Sequence, residues 1–574
     1  MNTNPRLNDR MLTLRRTIVC LFSTVTVAVL WVGGGITANA ADPAAPSAGG
    51  GKKLLVFILA GQSNMQGHAE VSTLAYLPKP AYLPTQEEWA LLTPGLARDV
   101  RLKSEASITA ELLQDPANAK LAKKDFAALL QTALNAETEK VRKERYEVFK
   151  KRQTDPARAA RDKELAAIFT PDLTDEKVLQ VSAAAKNIKG AAESAHEWQS
   201  KLNLPVGKRA SIAAYGGVNR AAEPGFAAGP LSTGYGARPT AFGPEYAFGI
   251  MLEKQLAQPI LIIKTAWGGK SLHYDFRPPS AGPYQLTAGQ KEQIENWKKR
   301  KAAWDKYLAD GGTPAAMAQI DKDYKALEKQ KQDLQASIGK APKDQLSAEQ
   351  AKLAELNAKL KTLAAARIPN PGEMPAHDAA GFYWNEMIGF LRKVLADPKA
   401  YHPDYDPQAG YEVAGGLWFQ GFNDQFDPEF YGDYRDNMVH FIQDLRKEVK
   451  QPQMPFVIGV LGTPAFPEEA LANQVASAQR EAAKSPDLAG TVAAVESWPL
   501  TTPEVALWRI KKDAAQATGD AGEKERGEQQ WRLHGSNLGY HYDGSGRFFI
   551  RFGDACADAM LKLRSRADRE SPAK

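Results

Sequence analysis

Cysteine is nearly absent, with two in 574 residues, Cys20 and Cys556. Cys20 lies in a segment that reads as a removable leader, which leaves one cysteine and no possible internal disulfide. Long apolar runs are scarce as well. Past the N-terminus none is long enough to span a bilayer. Charge of one sign is missing as a bias: 73 Lys and Arg stand against 67 Asp and Glu, a net of +6, with the signs mixed along the chain. That balance speaks against a nucleic-acid partner. Histidine is sparse too, eight in all, so a His inside a motif stands out.

What is present is length and a 43% hydrophobic composition, ample for a buried core and long for one simple domain. At the start, Arg15 and Arg16 precede the apolar run Thr17 to Val32, and Ala38-Asn39-Ala40 is a small-x-small cleavage site. Residues 1–40 therefore read as a secretory signal peptide, and the protein as exported, periplasmic or secreted. The competing reading is a membrane anchor, which the shortness of the run and Gly33 to Gly35 weaken. With the signal cleaved, no stable membrane insertion is expected. Residues 41–52 are a linker rich in Ala, Pro and Gly, and 567–574 a short tail. Near the other end, Phe549, Phe552, Cys556, Ala559, Met560 and Leu563 share one helical face, so Cys556 is expected to be a buried apolar residue.

Short apolar runs recur far apart: Leu54–Leu59, Ser211–Tyr215, Pro259–Lys264, Val413–Phe419, Pro455–Leu461 and Thr491–Val495. Most lack strict alternation, as in strands covered on both faces. Helical patterns such as "FGPEYAFGIMLEKQLA" lie between them. This alternation predicts an α/β fold with a parallel sheet in a three-layer sandwich. Two segments interrupt it, about 86–204 and about 285–367. In the second, Ile320, Tyr324, Leu327, Leu334 and Ile338 keep heptad-like spacing, and Leu346, Leu353, Leu356, Leu360 and Leu363 repeat it. That predicts an antiparallel helical hairpin with coiled-coil spacing over 313–367. It is either a solvated structural insertion or an arm for self-association or for walling a site.

The stretch "LLVFILAGQSNMQG", Leu54 to Gly67, ends an apolar run on a serine. In a parallel sheet, ligands sit at the carboxyl ends of strands, where Ser63 lies. Ser63 is either a turn residue or a nucleophile whose own N–H favours an oxyanion. Met65 stands where the Gly-x-Ser-x-Gly elbow requires its last Gly. A second strand end, "LIIKTAWGGKSLHYDF", brings Gly268 and Gly269, which let backbone amides approach a ligand. It is not a phosphate loop, because position 264 is Lys where that motif needs Gly. A third, "GGLWFQGFNDQFD", carries Asn423, an oxyanion donor or an Asx-turn residue. In "NLGYHYDGSGRFF", His541 is a candidate base.

Together these pieces, in the order Ser, Gly, Asn, His, resemble the SGNH (GDSL-like) hydrolase superfamily. "AGQSNMQG", "FGPEYAFG", "TAWGGKSL" and "WFQGFNDQ" are similar to its sialate O-acetylesterase and carbohydrate acetylesterase branch. The similarity spans roughly 54–85, 205–284 and 368–566, within one hydrolase domain over 53–566. It implies a flavodoxin-like fold and a serine esterase that removes O-acetyl groups from a carbohydrate, with no metal or other cofactor. Ser63 is then the nucleophile and His541 the base. The Ser63 N–H, the Gly269 N–H and the Asn423 side chain form the oxyanion hole.

One departure stands out. The family's Asp three residues before the His is replaced by Leu538. The residue orienting His541 stays open among Asp543, Glu496, Asp424 and a backbone carbonyl. Gln62, Gln66, Trp267 and Gln420 are candidates to line a sugar pocket, with core packing the alternative for Trp267. Asn64 is a candidate helix cap. The rival functions are an acetylxylan or other polysaccharide esterase, a non-catalytic glycan-binding protein, and a scaffold centred on the hairpin.

Overall fold

In a computed structural model the described residues are 51–171, 173–178, 180, 202–217, 225–338, 346–375, 377, 379–463 and 472–570. The signal sequence with Cys20, most of the 41–52 linker and the last four residues of the tail lie outside them. The described residues divide into two compact units. One is Tyr284–Ala379, and the other holds the chain on either side of it.

The apolar runs do form strands. They are β1 (Leu54–Gly61), β2 (Ala210–Gly217), β4 (Ile260–Trp267), β5 (Tyr411–Phe419), β6 (Phe456–Val460) and β7 (Val492–Glu496), joined by β3 (Gly225–Pro230). The sheet order is β3-β2-β4-β1-β5-β6-β7. All neighbours are parallel except β3, which pairs antiparallel with β2 at the edge. The fold is α/β with a mixed, mainly parallel sheet.

Every residue of β1 is buried, because alternate side chains leave the sheet on opposite faces and both faces are covered. Leu55, Phe57 and Leu59 pack with helices α1 (Pro244–Gln255) and α5 (Gly546–Glu570). Leu54, Val56 and Ile58 pack with α2 (Phe382–Ala396), α3 (Tyr434–Glu448) and α4 (Gln474–Ala483). Fully burying each such side chain is worth about 1.5–3 kcal/mol. Cys556 is fully buried on α5, as its helical face predicts, and burial holds its thiol pKa up. β4 breaks the apolar rule with Lys264, which is buried with Glu245 of α1.

The first interrupting segment is helical over Gln86–Leu92, Leu96–Leu112, Lys123–Gln153 and Pro156–Phe169. Trp89 and Phe149 pack with Leu507. Crossed pairs hold it to α5: Asp162 with Arg551 at 2.8 Å, and Arg161 with Asp554 at 2.9 Å.

Within the unit Tyr284–Ala379, helices Pro314–Ile338 and Leu346–Ala366 pack on each other. The heptad-like positions are buried or half-buried, and most of the residues between them are exposed. Arg367, just past the second helix, bonds Asp321 near the start of the first and covers the Tyr324 ring, so the two run antiparallel. The turn residues 339–345 lie outside the described residues.

Candidate active site

β1, β4 and β5 end level, since Gly61 pairs with both Ala266 and Phe419. The chain leaves β1 toward β2 on one side and β5 toward β6 on the other. This divergence opens the crevice where α/β sheets take ligands. Gly61 is required at the rim: a Cβ there would lie 2.2 Å from the Phe419 carbonyl oxygen.

Past β1 the chain makes a single helical turn, Ser63–Gln66, all of it buried. Past β4 comes Gly269, in the left-handed region at φ 71°. Past β5 comes Asn423, whose Nδ2 donates to the Gly269 carbonyl at 2.6 Å. An amide NH₂ has two hydrogens, so one stays free. Neither the Ser63 nor the Gly269 N–H has an acceptor among the described residues. Three donors therefore come together at adjacent strand ends.

The fourth piece is a turn at Gly539–Gly544. Asn64 Nδ2 donates to the Tyr540 carbonyl at 3.1 Å, which joins the residue after Ser63 to the residue before His541. Ser63 and His541 make no direct hydrogen bond among the described residues. Tyr542 and Asp543 both sit at positive φ, 52° and 55°. Two such residues in sequence cost about 1–3 kcal/mol each and persist only where the surroundings enforce them. Here the Tyr542 hydroxyl is held by Ser497 at 2.7 Å and by the Gly462 N–H at 3.0 Å. The Asp543 carbonyl accepts from the N–H groups of Ser536 and Asn537.

The partner of His541 is Asn537. Its Oδ1 lies 2.9 Å from His541 Nδ1 and also accepts the Leu538 N–H at 2.8 Å. The Leu538 bond sets which way the amide points, so His541 Nδ1 carries the proton and Nε2 is left basic. Asn537 Nδ2 faces His68 Nδ1 at 3.3 Å, and the His68 ring stacks on His541 with centroids 3.9 Å apart. Burial, then the charge of Arg238, lowers the His541 pKa to about 3. Burial, then His541 and Arg238, lowers that of His68 to about 2. Both rings are neutral at pH 7.

The three carboxylates weighed as orienters of His541 have other partners. Asp543 accepts from Arg509 Nε at 2.7 Å, and Glu496 from Arg480 Nε at 2.6 Å. Asp424 accepts the N–H groups of Leu272 and His273, each at 3.0 Å, and Gln420 Nε2 at 2.5 Å. Burial pushes the Asp424 carboxyl up to about 7, against these donors. Among the described residues no backbone carbonyl holds the ring either; the oxygen at Nδ1 belongs to the Asn537 side-chain amide.

The four expected pocket residues are all buried. Gln420 Nε2 reaches the Lys270 carbonyl at 2.8 Å and Gln62 Oε1 at 3.2 Å, so the pair ties loops together instead of facing a ligand. Trp267 is core, packed edge-on to Tyr215 and tilted on Tyr383. Gln66 ends the Ser63 turn, and its carbonyl accepts from Lys264 Nζ at 2.8 Å. The same ammonium meets Glu245 Oε2 at 2.8 Å and the Tyr235 carbonyl at 2.9 Å. Asn64 does not cap a helix; it bonds Tyr540.

Sequence reasoning missed Asn537, His68 and the Lys264–Glu245 pair. Asn537 stands four residues before His541, and His68 five after Ser63 in a chain with few histidines; both signals were there to weigh. Among the described residues, no group of three or more His, Cys, Asp and Glu is placed to hold a metal. No described helix is long and apolar enough to cross a membrane.

Residues 384–504 match the family model described as carbohydrate esterase, sialic acid-specific acetylesterase. No curated protein is significantly similar in sequence. Solved structures similar over part of the chain include two of note. One, of a protein from Arabidopsis thaliana, has 13% identity and TM-score 0.22, and covers 50% of this chain and 68% of its own. The other, of a carbohydrate acetylesterase from Xanthomonas citri, has 12% identity and TM-score 0.23, and covers 54% of this chain and 50% of its own.

Proposed function

We propose that the chain, whose residues 384–504 match a carbohydrate esterase family model, removes O-acetyl groups from carbohydrates through an acetyl-serine. Ser63 Oγ attacks the acetyl carbon while His541 Nε2 takes its proton. The negative oxygen is held by the N–H groups of Ser63 and Gly269 and the free Nδ2 hydrogen of Asn423. The ester C–O bond breaks, and His541 returns the proton to the departing sugar oxygen. Water then repeats the sequence: His541 takes its proton, acetate leaves, and Ser63 is restored. Asn537 accepts Nδ1–H throughout and keeps the ring in the reactive tautomer. A neutral amide steadies the imidazolium less than a carboxylate would.

The observation that carries the reading is the Asn64–Tyr540 bond together with the Asn537–His541 bond. The first ties the Ser63 turn to the His541 turn, and the second leaves Nε2 basic. The helix sets on the two sheet faces support assigning the fold to the three-layer SGNH type. The basic and apolar N-terminal pattern supports export.

The test is release of nitrophenol from nitrophenyl acetate by the purified chain. Ser63→Ala is expected to lower the rate by roughly 10³ or more. A variant that keeps half the activity ends the serine-esterase reading, and a wild-type chain that releases no nitrophenol favours a glycan-binding protein on the same fold.

A further inference from the structure

Large apolar side chains are mostly buried here, yet several open to solvent meet beside the candidate site. Phe426 is 48% exposed, Leu538 49% and Tyr540 37%. Half-buried Phe422 joins Phe426 and Tyr540 into three contiguous rings. Phe426 packs edge-on to Phe422 at 5.2 Å, and Phe422 lies 5.5 Å from Tyr540. Tyr540 in turn meets the His541 ring at 4.4 Å. Phe422 directly precedes Asn423. An aromatic surface thus runs from the base and the oxyanion donor out to solvent.

We propose that Phe422, Phe426 and Tyr540 form the subsite for the alcohol half of the substrate, a neutral pyranose that lays its C–H face on the rings. The inference deepens the esterase reading and rests on it. His541 must hand its proton to the departing sugar oxygen, so that sugar lies on the His541 side, where the rings are. Exposed aromatic faces suit the apolar face of a sugar ring. The charge of the surroundings selects a neutral sugar. The segment from Gly421 to Tyr434 carries Asp424, Asp427, Glu429 and Asp433 and no Lys or Arg, and Ser536 to Tyr540 carries no charge. Among the described residues, cations around these segments are engaged already: Arg238 with Glu70 at 2.7 Å, Arg509 with Asp543 at 2.7 Å, and Lys270 near Asp275 at 3.9 Å. A sugar acid would need a free cation to hold its carboxylate.

The test compares acetylated xylo-oligosaccharide, O-acetylated sialic acid and ethyl acetate as substrates of the full chain. Phe426→Ala and Tyr540→Ala are each expected to lower kcat/KM on the xylo-oligosaccharide about tenfold, and by clearly less on ethyl acetate, which has no ring to stack. Equal losses on both, or no loss on the oligosaccharide, overturn the platform. A wild-type preference for the acetylated sialic acid overturns the neutral-sugar assignment. A wild-type chain that splits none of the three esters defeats the esterase reading instead. The platform is then judged by binding: Ser63→Ala should bind the xylo-oligosaccharide about tenfold more weakly once Phe426→Ala is added. Unchanged or absent binding overturns it.

Discussion

The helical unit Tyr284–Ala379 and the strand ends of the other unit are held by opposite kinds of polar contact. In the helical unit the charge pairs are mostly one turn apart and exposed, as in Lys298–Glu295, Lys301–Asp305, Lys306–Asp310 and Lys352–Glu349. Arg367 with Asp321 is the longer-range exception. At the strand ends the partners are far apart in the chain and buried or part-buried: Asn64 with Tyr540, Gln420 with Gln62, and Lys264 with the Gln66 carbonyl. Local pairs in water contribute little, because solvent competes and long side chains lose freedom. Remote buried contacts bind loops to each other, and losing one partner strands the other without water. The helical unit is therefore specified by its apolar spacing, and the site by its cross-links.

The largest effect that sharpens this contrast is expected at the buried ion pair. Lys264→Met leaves the Glu245 carboxyl buried without its cation, which should cost about 3–5 kcal/mol in urea denaturation. Adding Glu245→Gln should recover part of that loss. A cost below about 1 kcal/mol would mean that the pair is not holding the Ser63 turn in place.

A middle-sized effect is expected at Asn537. Asn537→Ala frees the His541 ring and should lower kcat/KM roughly 10–10²-fold, less than the roughly 10⁴ known for a triad carboxylate. The pH profile separates orientation from plain destabilisation. In the proposed scheme the neutral ring is the base, and burial holds the His541 pKa well below its ordinary value. Activity is then retained as pH falls through 6.5 and is lost only near the pKa of the ring itself. kcat/KM should stay level from about pH 8 to about pH 5. Asn537→Asp keeps the acceptor but adds a negative charge that favours the protonated ring, so its acid limb should move up. A wild-type limb at 6.5 or above would count against the neutral-amide arrangement.

The smallest effect belongs to the helical unit. Lys301→Ala removes an exposed pair with Asp305 and should change stability by less than about 0.5 kcal/mol in the same denaturation. A loss comparable to that of Lys264→Met would erase the contrast.

Part of this was legible before any coordinates. Six of the seven strands of the main sheet follow apolar runs, because a strand covered on both faces leaves no room for alternating polar residues. β3 escaped: "GFAAGP" offers little apolar signal, and an antiparallel edge strand needs little. Ser63, Gly269, Asn423 and His541 were named because each stands beside a recognisable element end. Gln62, Gln420 and Trp267 stand out in the sequence as polar or aromatic residues close to the motif, but burial turns them inward, and for Trp267 core packing was the stated alternative.

The sequence by itself determined which segments become strands and helices, and which residues stand at each strand's carboxyl end. Those follow from periodicity and from neighbours in the chain. Only the tertiary structure decided which polar groups meet: Asn537 with His541, Lys264 with Glu245, Asp424 with the backbone of 272 and 273. Such meetings depend on how segments far apart in the chain pack together. Once packed, a buried donor or acceptor must find whatever partner lies within about 3 Å, and no spacing in the sequence records that distance.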